Sequence, residues 1–67
     1  MHRQHFLQRR TVIYEDWGVE VARYSRTAPT ELAAELWTSE AFFKEHREFD
    51  AFAILPGLTF RTEPGDA

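Results

Sequence analysis

The chain has 67 residues and a net charge of -3, and its cysteine-free composition is 43% hydrophobic, 15% aromatic and 28% charged. Those figures exclude a second domain, any disulfide, any cysteine-based zinc site and all thiolate chemistry. No apolar run exceeds five residues (AFAIL, 51–55), which leaves no membrane span and no signal-peptide core and fits the reducing cytoplasm.

The charge is unevenly spread. Residues 1–10 hold Arg3, Arg9 and Arg10 with no acid, whereas residues 11–67 set five cations against eleven carboxylates. The chain reads as one domain over 1–67, with a basic N-terminal segment (1–10), flexible or at a sheet edge, and a frayed tail (63–67). A basic leader on an acidic body is either an arm for nucleic acid or a segment that folds back on its own domain.

From Thr11 the sequence TVIYEDWGVEVARYS (11–25) is rich in β-branched and aromatic residues and alternates around a turn signal. It predicts a β-hairpin, with Glu15-Asp16-Trp17-Gly18 as a type I turn ending in a left-handed Gly18. Helix follows. Pro29 presets the first turn, Thr30 or Thr27 can cap, and TELAAELW (30–37) consists of strong helix formers. Leu32, Leu36 and Phe43, with Ala33 beside them, form one apolar stripe at helical spacing. A continuous helix would place Glu40 and Arg47 on that stripe, so a break at Thr38-Ser39 is expected, with Ser39 capping a second helix over 40–49. The segment DAFAILPGLTFRT (50–62) predicts a strand carrying Phe52 and Ile54. A type II turn at Pro56-Gly57 and a short final strand, Leu58-Thr59-Phe60, would follow. The expected fold is α+β: a two-layer domain of order β-β-α-(α)-β-β. Its antiparallel sheet carries one kinked helix or two short helices on one face.

Catalytic and metal-binding motifs are faint. His2 and His5 form an H-x-x-H spacing, which supplies only half a metal site, and no metal ligand set is predicted. His46 lies among Glu45, Glu48 and Asp50 without a nucleophile at a recognisable spacing, and reads as a histidine at the edge of the core. Ser25 and Ser39 lack a glycine-flanked elbow. The isolated glycines 18, 57 and 65 offer no phosphate cradle. No enzyme and no cofactor are expected.

The binding features are stronger. Within 31–50 there are six acids against two bases, a negative helical surface that could dock on a basic groove. The ten aromatic residues exceed what a small core of Val12, Val21, Leu32, Leu36, Phe43, Phe49, Phe52 and Ile54 needs. Trp17 falls at a turn tip and Trp37 at the edge of the apolar stripe, and tryptophan is enriched at protein interfaces. The expected function is a non-enzymatic protein-binding module contacting its partner through Trp17, Trp37, Glu35, Glu40 and Glu45. Small acidic chains of this profile are frequent among accessory proteins of phages and mobile elements, including stoichiometric inhibitors of host or defence proteins of the anti-CRISPR type. The alternative is a small nucleic-acid-binding protein that uses Arg3, Arg9, Arg10, Arg23 and Arg26 with Tyr14 and Tyr24 for phosphates and base stacking. A homodimer is compatible with both.

Overall fold

The β-rich run after Gln8 forms the predicted hairpin. In the computed structural model, which describes residues 7–49 and 55–66, strand β1 spans Gln8–Asp16 and β2 spans Val19–Ala28. They pair antiparallel from Gln8 opposite Ala28 to Asp16 opposite Val19. The turn differs from expectation. Trp17 and Gly18 both take positive φ (51° and 83°), which makes a two-residue type I′ turn. The extra residue of the hairpin is instead Val21, a bulge between the pairs Tyr14–Ala22 and Glu15–Glu20. A left-handed tryptophan costs about 1–2 kcal/mol of backbone energy. It is held by a 2.7 Å hydrogen bond from its own N–H to the carbonyl of Gly57.

Helix α1 spans Glu31–Glu45 without the expected break. Thr30 caps it, its Oγ1 accepting from Ala33 N at 3.0 Å, and Glu31 and Lys44 sit where the helix dipole favours an acid and a base. Ser39, the expected second cap, and Thr38 beside it bond back along the same helix: Thr38 donates to the carbonyl of Glu35, and Ser39 donates to that of Leu36. Bonding to the preceding turn lets both residues stay helical.

Strand β3 spans Leu58–Pro64 and pairs antiparallel with β1, giving the order β2-β1-β3. Two expectations are corrected here. Gln8, Arg9 and Arg10 belong to the central strand, and Glu63 and Pro64 extend the last strand into the supposed tail. Beyond them Gly65 N donates to the carbonyl of Arg9 at 2.7 Å, and Asp66 pairs with the Arg9 guanidinium at 2.7 Å. The strand expected around Phe52 and Ile54 lies outside the described residues. The sheet therefore has three strands among those described, with α1 on one face: a small α+β domain.

The core forms where α1 meets the sheet. Val12, Tyr14, Ala28, Ala34 and Phe42 are buried together, with Val21, Phe43 and Phe49 packed around them. Tyr14 and Phe42 stack with centroids 4.3 Å apart, and His46 lies against the Phe42 ring at 4.9 Å. His46 is thus the core-edge residue expected from the sequence. The expected helical stripe holds only in part: Ala33 and Phe43 pack against the core, and the two leucines do not. The buried residues of α1 are Ala34, Thr38 and Phe42, while Leu32 and Leu36 remain exposed. At 3.6 residues per turn the two stripes lie about 140° apart. The cause is Tyr14, whose ring and hydroxyl occupy the space beneath the helix. Phe42 stacks flat on its ring, and its buried hydroxyl finds Thr38 Oγ1 at 2.9 Å. A leucine there would leave that hydroxyl unsatisfied, a loss of about 1–3 kcal/mol.

Candidate functional site

Strand alternation sends Arg9, Thr11, Ile13 and Glu15 to the sheet face away from α1, together with Arg23, Ser25, Arg61 and Glu63 on the neighbouring strands. That face is closed by its own side chains. Ile13 is 1% exposed, flanked in register by Arg23 and Arg61, whose apolar stems can cover it. Arg23 makes a two-pronged ion pair with Glu20, and Arg61 bridges Glu15 and Glu63. The Arg23 guanidinium holds the Glu20 carboxyl below the usual range, and Arg9 does the same for Asp66. Thr11 Oγ1 meets Ser25 Oγ and the carbonyl of Gly65, both at 2.7 Å.

Among the described residues, the opposite face is only partly covered. A helix about 10 Å across spans two strands set about 4.8 Å apart. Here α1 lies mainly over β2 and β1. What remains beside β3 is a groove of about 370 Å³. Leu32, Leu36 and Phe43 form its helical wall, Tyr14, Leu58 and Phe60 its floor, and Leu55 one end. Leu32 is 62% exposed, Leu36 61% and Phe60 52%, so three large apolar side chains meet solvent side by side. The polar groups of the lining are Tyr14, Glu35 and Ser39. Glu35 accepts from Thr62 Oγ1 at 2.9 Å, which ties α1 to β3.

The five residues expected to bind protein are dispersed over this framework. Glu35 lies in the groove lining. Trp17 stands next to the groove's end, its indole against Gly57 in the turn that joins Leu55 to Leu58. A Cβ at position 57 would overlap the Trp17 indole, so any side chain there must displace the ring. Gly57 does not adopt the positive φ of the expected type II turn. Trp37 and Glu40 are together on the other flank of α1, where the Arg26 guanidinium lies 5.5 Å from the Trp37 ring centre. Glu45 is engaged by the Tyr24 hydroxyl at 2.6 Å.

The residues of the nucleic-acid reading are divided as well. Arg9 and Arg23 are ion-paired on the outer face, while Tyr24 and Arg26 point toward α1. Arg10 donates to the carbonyls of Ala28 and Pro29. Tyr14, expected to stack on a base, is 3% exposed and shut beneath Phe42. Arg3, His2 and His5 lie outside the described residues. Among the described residues no group of acids and histidines is placed to hold a metal, and no helix is long and apolar enough to cross a membrane.

The Leu32/Leu36 stripe carries the sequence signal for the groove, but helical periodicity marks an apolar face without saying what covers it. Phe60 carried no signal beyond its strand position. Comparisons with protein-family models, curated proteins and solved structures find no match to this chain.

Proposed function

We propose that this chain is a non-enzymatic protein-binding module of the cytoplasm, which holds its partner in the groove between α1 and β3. The observation that carries the reading is the exposure of Leu32, Leu36 and Phe60 in one continuous concavity, in a domain whose other sheet face is closed by ion pairs. Apolar patches of this kind on small soluble domains mark interaction sites. The contact set shifts accordingly from Trp37, Glu40 and Glu45 to Leu32, Leu36 and Phe60, with Trp17 and Glu35 at the margin. The mode of action is stoichiometric occupancy, which suits an inhibitor of a host or defence protein in the manner of phage accessory proteins.

The test is affinity capture from the native host with the wild-type chain, Leu36→Lys and Trp37→Ala, with circular dichroism confirming the fold of each. A partner retained by Trp37→Ala and lost by Leu36→Lys supports the groove. Capture that survives Leu36→Lys, or that Trp37→Ala alone abolishes, overturns it.

A further inference from the structure

The protein-binding reading leaves open what kind of segment enters the groove, and the surrounding chemistry narrows it. Three occupants from outside the domain fit an apolar trough beside β3, the outer strand among the described residues: an added β-strand, a second copy of this chain, or a helix of another protein.

A strand is disfavoured by the edge it would have to extend. Strand β3 carries Arg61 and Glu63 in ion pairs and ends at Pro64, which has no N–H to donate. Charges and proline on an edge are devices that block strand addition. A second copy is disfavoured by charge. Glu35 is the charged residue of the lining, Glu31 lies one turn before it on α1, and Asp16 is the register partner of Leu58 at the groove's floor. No arginine or lysine lines the groove among the described residues. Two copies brought groove to groove would set these acids against each other, with no cation of either copy lining the contact.

A helix fits on both grounds. The strip of sheet left by α1 is about one helix wide once the partner also overhangs the β3 edge. From Leu32 to Phe43 the wall runs about 17 Å, or three helical turns. We infer, on the basis of the protein-binding reading, that the groove receives a cationic amphipathic helix. Its leucine-like residues at i, i+3, i+4 and i+7 pack between α1 and β3, and its lysines or arginines lie along Glu31, Glu35 and Asp16.

The experiment uses three synthetic peptides of about 14 residues, some 21 Å if helical. One has leucines at helical spacing with lysines elsewhere, the second has glutamates in place of the lysines, and the third has the first peptide's composition with leucines at every second position. Affinities are measured by anisotropy and the contact surface by amide shift mapping, with sedimentation run in parallel. The inference expects the lysine helix to bind at least about tenfold more tightly than the glutamate helix, with shifts along Leu32, Leu36 and Phe60. It also expects Leu36→Lys to weaken that binding about 10- to 100-fold, the loss for one buried leucine, while Trp37→Ala leaves it unchanged. Equal binding of the glutamate helix, preference for the alternating peptide, or shifts on the outer sheet face each overturn it. So does a dimer that Leu36→Lys dissociates, or a chain in which Phe52→Ala and Leu36→Lys are both strongly destabilising and no peptide binds, which would mark residues 50–54 as the occupant. If no peptide binds yet capture from the host still depends on Leu36, the helix inference fails and the protein-binding reading stands. If both fail, both readings fall.

Discussion

Replacing Thr38 by valine tests why α1 presents the stripe of Ala34, Thr38 and Phe42 to the sheet. The Thr38 hydroxyl is fully buried, 2.9 Å from that of Tyr14, and donates in turn to the carbonyl of Glu35. Valine keeps the shape and removes the partner, so the Tyr14 hydroxyl, on a residue 3% exposed, is left without one. An orphaned buried hydroxyl costs about 1–3 kcal/mol. Tyr14→Phe is expected to cost less, about 0.5–1.5 kcal/mol, because Thr38 retains its bond to Glu35. The double variant removes donor and acceptor together and should be more stable than the sum of the two singles predicts, by about 1 kcal/mol. A domain of this length carries roughly 3–10 kcal/mol in all, so both single variants should stay folded. Urea unfolding followed by circular dichroism measures the cycle, and 1 kcal/mol also moves Tm by about 4–8 °C in a chain of this size. Additivity within about 0.4 kcal/mol refutes the reasoning, as would a Thr38→Val chain more stable than wild type, since either would mean that the two hydroxyls do not depend on each other.

Two further outcomes follow from the same contacts. Gly57→Ala drives a methyl group into the Trp17 indole and should displace the ring; the lost contact, partly offset by the stiffer unfolded chain, leaves a net cost of about 0.5–1 kcal/mol. Trp17→Ala should abolish that cost, and an undiminished penalty in the Trp17→Ala background would show the clash to lie elsewhere. Burial pushes the Tyr14 phenol above its ordinary value, and burial followed by the Glu45 hydrogen bond does the same for Tyr24. A raised folded-state pKa means that the native state holds the proton more tightly, so stability from both groups is complete below pH about 10 and declines as pH rises beyond it. Denaturation at stepped alkaline pH should show this decline, shallower in Tyr14→Phe and in Tyr24→Phe; equal slopes in all three chains would contradict the assignment.

Local chemistry made much of the fold legible. The alternation of Val12 and Tyr14 around a Trp-Gly turn defines the hairpin, since β-branched and aromatic residues on a pleated strand carry their own pattern. Pro29 and the following run of helix formers locate the start of α1 to within a turn, and the structure chooses Thr30 over Thr27 as its cap. The expected break rested on Glu40 and Arg47 falling on the Leu32/Leu36 stripe; with Ala34, Thr38 and Phe42 as the buried stripe, and α1 ending at Glu45, neither charge meets the core. The three-strand order depends on a pairing between residues about fifty positions apart, with Arg10 opposite Pro64 and Asp16 opposite Leu58.

The sequence by itself determined the hairpin, a helix beginning just after Pro29, a strand after Gly57, and that cysteine chemistry is excluded. These are consequences of residue type and of spacing over a few positions. Only the tertiary structure decided which helical stripe is core. Periodicity offered Leu32 and Leu36; the bulk and hydroxyl of Tyr14 selected Ala34, Thr38 and Phe42 instead. That choice, made by one aromatic side chain across the interface, turns the leucines toward β3 and creates the groove on which the functional proposal rests.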